Sequence, residues 1–568
     1  MNKFNNLPDL FFYQANKNYT NEHLLRLDPN TNEVISLNWS DTSKMVCKIF
    51  NFIKNKNFED FERILIVSEN RPEWLASDIA IMANKLIAVP NYTTYTARDF
   101  EHILNDSKPK GLIVSNKTLL DTVMEASKKI HYDLDFIICF ENFENSSLTN
   151  LTFLSDLNEN SDDITSVQYK TINRSDPACI IYTSGTQGLP KGVVLSHGGI
   201  LSNCEGAYEL LISLKRPDLT FLTWLPLSHS YEHVVQFVQI MMEAKVFYNK
   251  SIDTLLPTIK IARPHIMTAV PRFYNNLYAK MTINLKNQSQ FKQNLFKKTI
   301  SLGTRKFKNH NLSITDTLID KILEKLVRKK VKNNFGGRLE AFVSGGGPLD
   351  SQVGEALNAL GLKTLQGYGL TETSPVVSCN PLHKVKVETV GPIFPGVEVK
   401  LSEDNEILVK GENLMIGYWN NQEATDQTIK NGWLYTGDIG EFDHDGYLKI
   451  TDRKKDIIVS LGGDNIAPSK IENLLTLSSE IEQACIFGEQ KNYIAALIVL
   501  SLQSKANKED IQKYVDSINL DLTQPEKIKR FTIIEEPFSI ENNLMTPTMK
   551  VRRHEVSKKY TDTINKMF

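Results

Sequence analysis

The chain has 568 residues, 65 Lys and Arg against 67 Asp and Glu for a net charge of −2, and 41% hydrophobic residues. That length exceeds one ordinary core and implies two or more domains, and the composition is globular rather than disordered. The near-neutral balance gives no general pull toward nucleic acid or a membrane, and Cys47, Cys139, Cys179, Cys204, Cys379 and Cys485, far apart with no CxxC pair, argue against a zinc site or disulfide framework and fit a reducing cytosol.

Residues 63–68 (RILIVS) are expected to form a strand, and the stretch opened by NRPEW at Asn70 a helix to about residue 84. Residues 86–89 are strand-like and stop at Pro90; 97–105 read as helix, 111–114 and 136–140 as strands. This βαβα rhythm predicts parallel sheets covered by helices. MNKFNNLPDLFF lacks the apolar core of a signal peptide. No run of about 18 apolar residues appears; the nearest candidates, interrupted by Asp78 and Lys85 and by Gln236, Gln239 and Glu243, are expected to be buried helices. The expected location is cytoplasmic, with peripheral membrane contact as the one addition considered.

That addition comes from residues 280–332, which hold 14 Lys and Arg and only three acids, Asp316, Asp320 and Glu324. Leu318, Ile319, Ile322, Leu323, Leu326 and Val327 recur there at helical spacing. The plain reading is a solvated basic helix face; the alternative is a patch for anionic lipid headgroups or for the phosphates of CoA. From about Lys455 onward a helix near 471–477 and strands near 484–487 and 494–500 suggest a small α+β domain.

Tyr182 to Val193 reads YTSGTQGLPKGV after an apolar strand at 178–182. Glycines let backbone N–H groups approach a phosphate, hydroxyls donate to it, and the ammonium of Lys191 balances its charge. It is not a Walker A loop, since GxxxxGK[ST] is absent. The string resembles the signature loop of the adenylate-forming superfamily of acyl-CoA synthetases, firefly luciferases and peptide-synthetase adenylation domains. The resemblance runs from NRPEW at Asn70 nearly to the end of the chain. It implies a large multi-subdomain α/β N-terminal domain with mostly parallel sheets (1–454) and a small mobile α+β C-terminal domain (455–568).

The other motifs follow in order. The resemblance assigns Thr183, Ser184, Gly185, Thr186 and Gly188 to nucleotide phosphates, with Lys191 as a catalytic cation. In LPLSHSYEH, His229 matches the histidine lining the acyl site, in the form seen in long-chain members. SGGGPL places Gly345, Gly346 and Gly347 against adenine, after a strand expected over 339–343. QGYGLTETSP contributes Gln366, Gly367, Tyr368 and Gly369, with Tyr368 stacking on adenine, Thr371 on the α-phosphate and Glu372 binding Mg2+, Thr183 being the second contact to the metal or its water. One or two carboxylates, with phosphate and water, suit that ion. Asp438 in WLYTGD would grip the ribose hydroxyls, with Arg453 near the ribose or phosphate and Lys455 at the hinge. Gly462 and Gly463 would belong to a CoA tunnel; this chain has Val459 where many relatives carry a lysine, so no CoA-contacting lysine is carried over. Lys550 in TPTMKVRR matches the near-terminal lysine used in adenylation. VGPIFPGVEV and GENLMIGYW are assigned structural roles.

The implied chemistry is ATP-dependent activation of a fatty acid, of long-chain type, as acyl-AMP, followed by transfer to CoA. An acyl-carrier protein as acceptor, a luciferase-like oxidation of the adenylate, and a catalytically inert nucleotide- or lipid-binding protein are the competing expectations.

Overall fold

The strand Arg63–Val67 is buried from its second residue onward, and strands apolar on both faces need cover on both. The computed structural model supplies it, describing residues 3–28, 30–144, 148–158, 169–183, 190–308, 311–454, 456–462, 464–478, 480–502, 504–539, 541–546 and 551–568. Helix α1 (Pro72–Ala83) follows that strand with proline in its first turn, where the missing N–H leaves no bond unmade. Strand β1 (Pro177–Thr183) turns back as β2 (Lys191–Ser196), and helix α2 (His197–Leu211) continues from it.

The first eight-stranded sheet runs in the order Gly417–Tyr418, β2, β1, Ile87–Asn91, Arg63–Val67, Gly111–Val114, Phe136–Cys139 and Leu151–Phe153. It is parallel from β1 outward and antiparallel at the β2 edge. The strand expected to stop at Pro90 continues to Asn91, Pro90 pairing with Ile66; its pairing with β1 involves Ala88 alone, and proline is tolerated where one side of a strand is no longer paired.

Helix α3 (Ser230–Met241) follows Thr220–Thr223, and α4 (Pro271–Lys286), α5 (Gln290–Phe307) and α6 (Ile314–Leu323), the last continued by helical turns to Asn333, precede strand β3 (Ala341–Ser344). Strand β4 (Thr364–Gly369) comes next. The second eight-stranded sheet is ordered Val376–Cys379, β4, β3, Ile266–Ala269, Thr220–Thr223, Lys245–Tyr248, Glu22–Leu27, Val34–Asn38, parallel inside with an antiparallel strand at each edge. Helices α1, α2 and α3 lie between the sheets, sharing one core with Ile64, Ile66, Ala88 and Phe136 of the first and Phe221, Val246 and Ile266 of the second. The two stretches expected to be buried helices are these inner helices: α1 is buried apart from Glu73, and α3 apart from Val235.

An antiparallel sheet follows, in which β5 (Trp433–Phe442) pairs with β6 (Leu448–Arg453) and with Glu406–Gly411. The C-terminal unit is smaller: Ile481–Phe487, Ile494–Leu500 and Ile528–Ile534 form a three-stranded sheet, against which Pro468–Thr476 and Lys508–Asn519 bury Ile471, Leu475, Ile511 and Val515. Among the described residues no helix is long and apolar enough to cross a membrane.

Between the sheets lies a fully buried ion pair. His233 Nε2 of α3 is 2.7 Å from Asp78 Oδ2 of α1, and His233 Nδ1 is 3.8 Å from Cys179 Sγ of β1. Burial alone would push the imidazole down, but the Asp78 carboxylate outweighs it and holds His233 well above its ordinary value. Removing one partner of such a pair strands a buried charge and costs about 3–5 kcal/mol. Asp78→Asn is therefore expected to lower the unfolding free energy by about that amount in a denaturant titration. Because the folded imidazole value is raised, the pair's contribution is complete below the unfolded value near ~6.5 and is lost as pH rises through the folded one. The variant should lack that alkaline loss.

Candidate active site

Strand ends of the first sheet and loops of the second border one cleft, Tyr92 and Thr183 from the one and Trp224, Val270, Gly345 and Leu370 from the other. β1 is buried from Ala178 through Tyr182, and its half-buried last residue, Thr183, pairs in register with Lys191 of β2. Ser184, Gly185, Thr186 and Gly188 lie outside the described residues. The edge strand Gly417–Tyr418 pairs with β2 and so puts the Tyr418 ring 5.0 Å from Lys191 Nζ. The Tyr418 hydroxyl donates to Glu372 Oε1 at 2.8 Å, and burial together with that carboxylate raises the phenol's pKa. Glu372 sits in the 3-10 turn Thr371–Thr373, and its carbonyl accepts from Met415 N–H at 2.9 Å. The adjacent Thr371 hydroxyl is 3.0 Å from that of Ser230.

His229 caps α3, its Nδ1 accepting from Tyr231 N–H at 3.1 Å. That bond fixes the tautomer, so a neutral ring carries its proton on Nε2. Glu232, one turn further along, is fully buried and accepts from Thr268 Oγ1 at 2.7 Å. Burial pushes its carboxyl up to about 7. The motif glutamate thus ties α3 to Ile266–Ala269 and does not line the cleft.

At the end of β3, Gly345 presses on an aromatic wall: a Cβ there would sit 3.1 Å from the Tyr231 ring. Gly346 has φ +81°, a conformation that favours glycine. The Gln366 amide holds this loop, Oε1 accepting from Leu349 N–H at 3.2 Å while Nε2 donates to the Val387 carbonyl. Tyr368 donates its hydroxyl to Asp438 Oδ2 at 2.7 Å. Asp438 and Arg453 face each other across β5 and β6, with Arg453 Nε 3.2 Å from Asp438 Oδ1. Burial pushes the neighbouring Asp452 up to about 6.

Thr183, Lys191, His229, Gly345, Gly346, Gly347, Gln366, Gly367, Tyr368, Gly369, Thr371, Glu372, Asp438 and Arg453 all line this cleft, whose cavity volume is about 2730 Å³. Leu210 and Leu211 of α2, Phe221, and Val234 and Val238 of α3 give it an apolar wall. From the C-terminal unit come Thr546, Val551, Arg552 and Arg553. Lys455, Gly463 and Lys550 lie outside the described residues. Gly462 does not line the cleft; its N–H donates to Ser460 Oγ at 3.2 Å. Sequence reasoning gave GENLMIGYW a structural role and so missed Tyr418; its only signal was an aromatic hydroxyl at the end of that motif.

The family model "AMP-binding enzyme" matches residues 11–419, and "AMP-binding enzyme C-terminal domain" matches 455–568. The chain belongs to the AMP-binding enzyme family. This AMP-binding enzyme is 30% identical over 533 residues to long-chain-fatty-acid–CoA ligase FadD15 of Mycobacterium bovis, covering 89% of this chain and 88% of that protein. It is 31% identical over 544 residues to the peroxisomal long chain acyl-CoA synthetase 7 of Arabidopsis thaliana, covering 88% and 77%. In fold it is similar to the anthranilate CoA ligase AuaEII in complex with anthranoyl-AMP (TM-score 0.77, 19% identity, 100% and 99% covered). It is likewise similar to ATP-bound MatB from Rhodopseudomonas palustris (TM-score 0.74, 21% identity, 99% and 100% covered).

The arrangement joins a carboxylate, Asp438, bonded to a phenol and a guanidinium, a second carboxylate and a lysine that both meet Tyr418, and an apolar wall. Asp438 is the shared partner of Tyr368 and Arg453, so Asp438→Ala frees two donors at once. Losing a hydrogen bond to a charged group costs about 1.5–3 kcal/mol. Calorimetric affinity for AMP is expected to fall roughly ten- to hundredfold.

Proposed function

We propose that this AMP-binding enzyme is an ATP-dependent acid–CoA ligase that activates a long-chain fatty acid as its acyl-adenylate, with release of pyrophosphate, and passes the acyl group to CoA. One observation carries the reading: Lys191, Thr371, Glu372, Asp438 and Arg453 share a single cleft with an apolar wall. Polar groups suited to a nucleotide and a surface suited to a hydrocarbon chain then meet where a carboxylate would stand.

A carboxylate is a poor electrophile and repels a triphosphate, so positive charge must be placed beforehand. Tyr368 would stack on adenine, with Gly345, Gly346, Gly347 and the Gln366–Gly369 backbone along its edge; Asp438 would accept from the ribose hydroxyls, and Arg453 would balance that carboxylate. The glycine-rich loop, Thr371 and Lys191 would receive the phosphates. The His229 Nε2–H, fixed by the bond at Nδ1, would donate to the acid's carboxylate and aim it at the α-phosphorus. Lys550 would bridge carboxylate and α-phosphate. The carboxylate oxygen forms a bond to phosphorus as the bond to pyrophosphate breaks; the CoA thiol then attacks the carbonyl, and AMP leaves.

For Mg2+ the fit rests on Glu372, a partly exposed carboxylate on the cleft wall oriented by the Tyr418 hydroxyl, with Thr183 lining the same cleft. Both would hold the ion, since Mg2+ takes few protein oxygens and leaves positions for phosphate and water. When bound it supplies charge neutralisation at the triphosphate.

We also assign residues 1–454 and 455–568 to two domains with the hinge at Lys455, a division supported by family matches that end at 419 and resume at 455. Gly462 and Gly463 would reach the CoA tunnel only after rotation about that hinge, as the position of Gly462 away from the cleft suggests.

AMP production measured across acids from acetate to oleate should rise with chain length and require CoA for turnover. Equal rates with acetate, or turnover with acyl-carrier protein in place of CoA, would contradict the substrate assignment. Lys550→Ala should reduce pyrophosphate formation by about 10²–10³-fold, the scale of losing one charge-stabilising donor, while largely sparing thioester formation from supplied acyl-AMP. Equal loss in both half-reactions would remove the assigned role.

A further inference from the structure

An amphipathic helix on a globular surface normally turns one apolar stripe inward and keeps the other face polar. Helix α6 departs from this. Leu323, and Val327 in the turn that continues the helix, pack inward with Leu302 of α5 and Leu360. Ile314, Leu318, Ile319 and Ile322 of α6, with Leu326 in that following turn, form a second stripe that faces outward, with exposures from 38% at Ile319 to 84% at Ile314. Contiguous exposed apolar surface of this kind marks an interaction site.

The charges around the stripe are divided by sign. The acids of this helix are occupied by cations: Asp316 by Lys298 and Arg305, and Asp320 by Arg328 at 2.6 Å. Glu324 lies 3.4 Å from the same Arg328. Lys321, Lys325, Lys329 and Lys330 are exposed, one helical turn from the apolar residues, and carry no ion pair to a described residue. The outward face therefore presents hydrocarbon edged by unneutralised ammonium groups. The helix also adjoins the cleft: α4, which packs on α5 and α6 through Met281, lends Leu277 and Lys280 to the cleft wall.

We propose that the outward face of α6 docks this protein on an anionic lipid bilayer, its apolar stripe entering the boundary of headgroups and acyl chains and its lysines lying among the lipid phosphates. Charge complementarity favours this occupant over a second copy of a chain whose net charge is near zero, and apolar burial combined with attraction to anionic lipid is how an interfacial helix binds. The proposal rests on the ligase reading only for its benefit, which is access to acids held in membranes.

The test uses the full chain and sedimentation with phosphatidylcholine vesicles, with and without about one-third phosphatidylglycerol, in the absence of ATP and acid. Binding is expected on the anionic vesicles and to fall toward the neutral level between about 0.1 M and about 1 M salt, where the screening length shrinks from ~10 to ~3 Å. Leu318→Asp with Ile322→Asp, and separately Lys321→Glu with Lys325→Glu, should each lower binding roughly tenfold or more, while AMP formation from a short soluble acid stays unchanged. Equal binding to both vesicle types, or undiminished binding by the Asp variants, overturns the proposal. Displacement of vesicles by free CoA would give the lysines to CoA phosphates, and a dimer lost in the Asp variants without vesicle binding would give the stripe to self-association; either also overturns it. Since no turnover is measured in the binding assay, its failure leaves the ligase reading standing, and failure of AMP formation leaves the docking result interpretable.

Discussion

The structure depends on parallel strand pairing. In a parallel sheet neighbouring strands end on the same side, so the segments that follow them gather at one edge. Two such sheets here share a layer of buried helices, and Thr183 at the end of β1 together with the loops after Thr223, Ala269, Ser344 and Gly369 borders a common cleft. Short polar motifs separated by up to hundreds of residues in the chain become neighbours because each sits within or immediately beyond a strand that borders the cleft. The fully buried Asp78–His233 pair joins the helices between the sheets, and so bears on how the two sets of loops face each other.

Within the cleft the polar groups are pre-paired. Lys191 lies over Tyr418, which donates to Glu372, and Tyr368 and Arg453 share Asp438. Such pairing limits the reorganisation needed when a highly charged substrate arrives, which is the main way a protein site surpasses water as a medium for charge development. The neutral tautomer of His229 is likewise set by a backbone bond made at the start of its own helix.

Much of this was legible beforehand. Alternating short apolar runs and helical stretches identified the α/β class, and Asp78 and Gln236 correctly marked two apolar stretches as buried helices. Every motif residue expected at the nucleotide that the structure describes lines the cleft. Gln366 was legible only in part: it lines the cleft, but its amide is consumed in holding the Gly345–Gly347 loop. Glu232 was visible in its motif, yet its burial and its bond to Thr268 were not, because spacing along a helix does not reveal which strand lies opposite.

The sequence by itself determined the chemistry on offer: which loops suit phosphate and which carboxylate suits a hard cation. The tertiary structure alone decided two things. It brought Tyr418 to Glu372 through pairing of an edge strand, and it turned one apolar stripe of α6 into the core and the other toward solvent. Helical periodicity tells which residues share a face; what covers that face is set by packing between elements distant in the chain, and local sequence carries no record of it.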